Sequence, residues 1–265
     1  EDPTELIKKF KNKLNITYYR FDENLGGISL TGQWHRCIEL TDREEWIMIL
    51  GDDDELSENC IEAFYNHLGL IKINQCRVVR FASKLKDEID NKTSKLYTHP
   101  EVEKVTDFFH RRFTRKTRSS LSEYLFKREA YKENGFFDYK LGWFSDDRAW
   151  MEFSNFGEIF TINTAHVIVR FSDVNISRWN YRMREKEISM YEFFKFVTYN
   201  HLNKFDRNQR KDLLKYYERI VYRLNKANTS FYFSLLKRFI KNRYFVECLK
   251  FSRRFLLNTA IDQKQ

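Results

Sequence analysis

The chain has 265 residues, enough to bury one large core or a core plus an appendage. Its 42% hydrophobic and 32% charged content excludes a disordered chain, and no uninterrupted apolar run is long enough to span a bilayer. Lys and Arg outnumber Asp and Glu by 47 to 38, an excess that suits a nucleotide, a phospholipid surface or another anionic partner without choosing among them.

Pro3-Thr4 ahead of Leu6, Ile7 and Phe10 predicts a first helix. The β-branched and aromatic run 15–21 predicts a strand, ended by Asn24-Leu25-Gly26-Gly27. A helix over 29–40 and the wholly apolar run 46–50 complete a strand–helix–strand unit, its last strand buried on both faces of a parallel sheet. A helix over 57–70 and a strand over 76–81 follow, then a charged, irregular stretch, 84–118, expected to be a mobile excursion. Next come a helix over 127–133, a turn at Gly135-Phe136-Phe137-Asp138, a helix over 148–156 and one long strand or a strand pair over 160–171. Apolar residues then recur at helical spacing, as in Phe193, Phe194 and Val197 or Leu235, Leu236 and Phe239. The expected class is α/β: residues 1–177 carry a mainly parallel, Rossmann-like sheet with helices on both faces, and 178–265 a helical C-terminal region. Cys37, Cys60, Cys76 and Cys248 form no C-x-x-C pair and meet no His at zinc spacing, so each is expected in the core in a reducing cytoplasm.

Two acidic clusters carry the chemistry. Asp52-Asp53-Asp54 follows the apolar run 46–50 directly, at the carboxyl end of a strand, where open α/β sheets bind ligands. Clustered carboxylates repel unless a cation lies between them, and Mg²⁺ or Mn²⁺ with substrate phosphate oxygens is the natural occupant. An exposed acidic turn capping the next helix is the alternative. Asp146-Asp147 opens the second cluster ahead of a helix; there a helix cap competes with a general base. Trp143, three residues earlier, is either a stacking platform for an acceptor sugar or a core residue.

The run from Ile47 to Leu56, through Gly51-Asp52-Asp53-Asp54, resembles the strand and D-x-D region of family-two glycosyltransferases with a GT-A fold. Asn24-Leu25-Gly26-Gly27 and Gln33-Trp34 resemble that family's N-x-G turn and following helix. Gly135-Phe136-Phe137-Asp138 and Asp146-Asp147-Arg148-Ala149-Trp150 resemble its G-x-F-D turn and E-D motif, and Arg170, Asn175 and Ser177 match its R-x-H-x-x-N-x-S loop. The resemblance implies Asp53 as metal ligand with Asp54, and Asp52, Asp54, Gln33, Arg170 and Arg178 as donor contacts. It implies Asp147 as base, with Asp146 beside it, and one sugar transferred with inversion from a nucleotide-sugar, a UDP-sugar foremost, to a sugar or lipid-linked acceptor in surface glycan synthesis. The family's first D-x-D aspartate falls on Gly51, so Asp52 or Asp54 stands in for it, and the loop histidine is Ser172.

The family's opening P-x-Y-N strand and D-x-S motif are not found; Glu1-Asp2-Pro3-Thr4 looks like the tail of the latter. Roughly one βαβ unit, about thirty residues or more, is therefore expected upstream with the base-binding residues. Two rivals are a metal-dependent phosphotransferase and a basic nucleic-acid- or membrane-binding module; the nucleic-acid reading rests on Arg111-Arg112-Phe113-Thr114-Arg115-Lys116-Thr117-Arg118, for which a solvated loop is the alternative. The basic C-terminal helices are expected to pack on the catalytic domain, on the inner face of a membrane, or on a second copy of the chain. Location in the cytosol or on that membrane face follows as the expectation.

Overall fold

The structure, a computed structural model, describes residues 3–172 and 182–262. Helix α1 (Thr4–Phe10) buries no residue. Residues 15–21, expected as a strand, pair with nothing and are almost wholly exposed. Strand propensity without a neighbour leaves the ladder groups to water. The aromatics make local contacts instead: Tyr19 meets Phe21 edge-on at 4.8 Å, and the Arg36 guanidinium lies 3.9 Å over Phe21. The expected strand–helix–strand unit is thus absent, though its helix forms. In α2 (Leu30–Glu39), Ser29 Oγ accepts the Gly32 N–H, and Thr31, Trp34 and Ile38 line the inner face. Cys37 falls off that stripe and is exposed, against expectation; Cys60 and Cys76 are buried.

Seven strands form one sheet: β1 (Trp46–Met48), β2 (Glu55–Leu56), β3 (Val78–Asp87), β4 (Lys92–Thr93), β5 (Val102–Lys104), β6 (Tyr124–Lys127) and β7 (Glu158–Phe171). The order is β1-β6-β3-β7-β2, with β4 on β3 and β5 on β7. The neighbours β3 and β7 are parallel, whereas β6 runs antiparallel between β1 and β3. Hence β1, β3 and β7 point one way in a mixed sheet, where a mainly parallel one was expected. The physical reason is α4 (Val105–Phe113), which follows β5 and returns the chain to the carboxyl ends of β3 and β7 before β6 begins. The stretch 84–118, expected as a mobile excursion, contributes the end of β3 and three whole elements, β4, β5 and α4.

Side chains of β3 alternate between two cores, as strand geometry requires. Val79 and Phe81 pack with α3 (Cys60–Ile73) and with Phe160, Ile162, Ala165, Val167 and Val169 of β7. Val78 enters the larger cluster with β6, α4, α5 (Arg128–Asn134) and α6 (Ser145–Phe153). That cluster continues without a break into α7 (Met183–Phe196), α8 (Arg207–Arg223), α9 (Thr229–Lys241) and α10 (Phe245–Asp262), through Phe193, Phe194, Leu213, Leu235 and Phe251. The boundary expected at 177/178 lies outside the described residues. No helix among the described residues is long and apolar enough to cross a membrane.

Candidate active site

After β1 the chain crosses from one edge of the sheet to the other, reaching β2 only beyond the acidic turn. The turn is tied down at both ends of that crossing. The Gly51 N–H donates to Ser122 Oγ at 3.0 Å, in the 3-10 turn Leu121–Glu123 ahead of β6, and Asp54 Oδ1 accepts the Arg170 N–H at 3.0 Å, at the end of β7. The cluster therefore sits over the carboxyl ends of the parallel strands, as a ligand crevice should. Asp53 and Asp54 are half-buried and Asp52 is exposed. A Cβ placed on Gly51 would lie 3.2 Å from both Asp53 Oδ1 and Asp54 Oδ2. Glycine at 51 is what lets these two carboxylates close over one point. Burial raises the Asp54 carboxyl above the usual carboxylate range and the Asp53 charge adds to this, while the Ser122 hydroxyl, the Arg170 N–H and Arg118 pull it back. A cavity of about 340 Å³ opens here between Asp53, Asp54, Arg118 and Arg170.

The second acidic pair sits on a strained turn. Leu141, Gly142 and Phe144 all have left-handed backbone angles, at φ of 62°, 62° and 71°. Two of the three are not glycine, so surrounding packing must hold them. Phe144 stacks on Phe193 of α7 at 4.7 Å, Ser189 of α7 donates to the Lys140 carbonyl at 2.9 Å, and Gly142 fits against Leu30 and Trp34 of α2. The turn starts α6 at Ser145, three residues before the expected helix. Successive residues on a helix point about 100° apart. Asp147 accordingly faces the interior, its side chain 0% exposed, with Arg112 Nε 2.9 Å from Oδ1. Asp146 is half-buried and keeps access to solvent. Burial raises both carboxyls, and Arg112 opposes the rise. The Asp146 charge adds to the rise at Asp147, as neighbouring carboxylates repel each other's ionisation.

Arginines from the segment between β5 and β6 meet carboxylates at both clusters. Arg118 lines the cavity with Asp53 and Asp54 and ion-pairs with the fully buried Glu123, and Arg112 pairs with Asp147. Arg118 also donates to Ser83 Oγ at 2.8 Å. Arg111 belongs to a neighbouring knot, pairing with Glu103, which also holds the fully buried Arg80. Arg111, Arg112 and Arg118 thus turn inward onto buried carboxylates, against the reading of 111–118 as a solvated or nucleic-acid-binding segment. Sequence reasoning missed Arg112, Arg118, Ser122 and Glu123. A usable signal was Glu123 leading straight into Tyr124-Leu125-Phe126, because an acid carried into a buried strand demands a partner.

The remaining expected site residues are placed less centrally. Gln33, on α2, accepts a hydrogen bond from Arg36 and lies outside the cavity beside Asp53. Arg170 lines that cavity while its guanidinium engages Glu88. Trp143 is half-buried, with the Lys186 ammonium 4.8 Å over its ring. Asn175, Ser177 and Arg178 lie outside the described residues.

No protein-family model and no curated protein matches the sequence. Among solved structures, the fold matches that of S. aureus TarS 1-349 in complex with UDP-GlcNAc, with a TM-score of 0.54 at 12% identity over 83% of this chain. The match spans 60% of that structure's chain. At this identity the likeness is one of fold: the mixed α/β architecture described above is shared with a protein crystallised with a nucleotide-sugar.

Proposed function

We propose that this chain is a GT-A, family-two type glycosyltransferase that moves a sugar from a UDP-sugar to an acceptor hydroxyl, with a divalent cation and with inversion. The observation that carries the reading is the cavity at the acidic turn, where Asp53 and Asp54 stand against Arg118 and Arg170. The fold shared with a structure containing UDP-GlcNAc supports a nucleotide-sugar donor.

Asp53 and Asp54 fit Mn²⁺ or Mg²⁺, since their carboxylates converge on the point a Cβ at Gly51 would fill. Among the described residues no group of three or more His, Cys, Asp or Glu forms a cage. One or two carboxylates are the usual protein share of such a cation, the rest being water and substrate phosphate oxygens. When bound, the cation would stabilise the negative charge of the departing nucleoside diphosphate. Arg118 and Arg170 add fixed positive charge on the same cavity wall. Trp143 is assigned to the acceptor as a stacking surface.

The attacking hydroxyl must lose its proton as the new bond forms. Asp146 is the member of the pair that can touch it, because Asp147 is closed off by its contact with Arg112. The base expected at Asp147 is therefore proposed at Asp146, with Asp147 and Arg112 setting its charge. One base and no covalent intermediate give inversion. Calorimetry of UDP binding with and without Mn²⁺ tests the donor side. Binding is expected to require Mn²⁺ and to be lost in Asp53→Ala; metal-independent binding, unchanged by that substitution, overturns the reading.

A further inference from the structure

Far along the chain from both acidic clusters, the junction of α7 and α8 holds a second cavity. After Phe196 the helix widens into one π turn, Val197–His201, then a 3-10 turn, Leu202–Lys204, before Asp206 and Gln209 form the capping box of α8. Such π turns displace side chains from helical register and recur at functional sites. The last turns of α9 lie opposite, and a cavity of about 450 Å³ opens between the two. Four cations line it, Arg210, Lys237, Arg238 and Lys241, and no carboxylate does among the described residues. The amides of Asn200, Asn203 and Asn242 complete its polar wall.

The cations come in two kinds. Arg210 and Arg238 are held in place: Arg210 donates to Phe205 O at 2.7 Å and to Asn242 Oδ1 at 3.0 Å, while Arg238 donates to Thr198 O and Ser234 Oγ and lies 3.8 Å over the Tyr199 ring. Their ordering is complete before any ligand arrives, which lowers the cost of binding. Lys237 and Lys241 stand four residues apart on one face of α9, both exposed, with no ion pair to a carboxylate among the described residues. Like charges at that spacing repel each other. Lysines near a helix's carboxyl end also answer the helix dipole, but Thr198 and Arg210 belong to other elements. Thr198 is the decisive residue: it is 1% exposed, it lines the cavity, and its Oγ1 has no hydrogen-bond partner. A buried hydroxyl without a partner calls for one.

We propose that this cavity binds a phosphate group. Tetrahedral oxyanions take several hydrogen bonds at once, which suits two fixed guanidinium groups, two free ammonium groups and a waiting hydroxyl. The group is carried either by a soluble phosphate or by an anionic lipid headgroup; the exposed Phe233, Ile240 and Phe245 flank the two lysines on the surface. The site is independent of the nucleotide-sugar reading.

Thermal unfolding and calorimetry of the whole chain with inorganic phosphate, in metal-free buffer against chloride of equal ionic strength, test it. Phosphate is expected to raise Tm beyond chloride, and Lys237→Glu with Lys241→Glu is expected to abolish the increment. Thr198→Val should keep the phosphate-free Tm while weakening phosphate about tenfold, the scale of one hydrogen bond to a charged group. Asp53→Ala should leave the increment intact. No increment over chloride, or an equal one in wild type and in both cavity variants, overturns the proposal. Co-sedimentation with phosphatidylglycerol but not phosphatidylcholine vesicles, competed by inorganic phosphate and lost in the double lysine variant, assigns the group to a lipid. Phosphate binding without co-sedimentation assigns it to a soluble ligand.

Discussion

The acidic turn at Asp52-Asp53-Asp54 and the acidic pair at Asp146 and Asp147 each meet an arginine from the segment between β5 and β6 but are held by opposite means. The first is a short crossing between strands, fastened by backbone hydrogen bonds to Ser122 and Arg170, with its carboxylates half in water. The second is wedged under the C-terminal helices, its turn strained at Leu141 and Phe144 and its inner carboxylate sealed against Arg112. A half-solvated cluster can accept a cation and release it. A sealed one can hold a proton at raised affinity and keep its geometry. That division matches the roles proposed for them. It also explains what the helices from α7 onward contribute, since they pack the turn from which the base projects.

Removing the basic oxygen tests this contrast most severely. Asp146→Asn is expected to lower transfer by about 10²–10⁴-fold, with UDP affinity unchanged, in a rate assay paired with calorimetry. If Asp147→Asn does this and Asp146→Asn does not, the inward conformation is not the reactive one. Next in size is Arg112→Ala, which strands a buried carboxylate where Asp147 is ionised and should cost about 3–5 kcal/mol of stability by denaturant unfolding above about pH 8, and less below it. An equally large loss from Arg170→Ala would erase the contrast, since its pair with Glu88 is partly exposed and screened by solvent.

Titration separates the two clusters further. Burial pushes Asp147 up to about 8, so the folded chain binds a proton there that the unfolded chain releases near pH 4. Stability from this group is present at low pH and is lost as pH rises from about 4 to about 8. Asp147→Asn should flatten that slope in unfolding curves measured across the range. Transfer, which needs an ionised base, should rise with pH over a limb lying above the usual carboxylate range, because Asp146 is raised as well. The smallest effect expected is at Asp52: exposed and outside the cavity lining, Asp52→Asn should change UDP affinity by less than about threefold, roughly the weight of a solvated charge.

Much of this was legible from residues alone. The apolar run ahead of three aspartates announced a strand feeding an acidic turn but not its burial: β1 stops at Met48 on an edge of the sheet, where Ile47 alone of the run is buried and Leu50 is exposed. The helices from residue 183 onward were legible from their spacing, since one buried stripe per helix writes a period near four into the chain. Residues 15–21 misled because propensity says what a segment tolerates, while a strand exists only where a neighbour completes its hydrogen bonds. The stretch 84–118 misled for a related reason. Its charges read as solvated, and composition cannot distinguish an arginine in water from one closed onto Glu103, Glu123 or Asp147. Which member of the acidic pair faces inward depended on the rotation of α6, fixed by Phe144 and Trp150 in the core. Local residue patterns specified most of the elements and their acidic punctuation. Packing settled which charges meet, because ion pairing is set by distance in space, and these partners lie up to 35 residues apart along the chain.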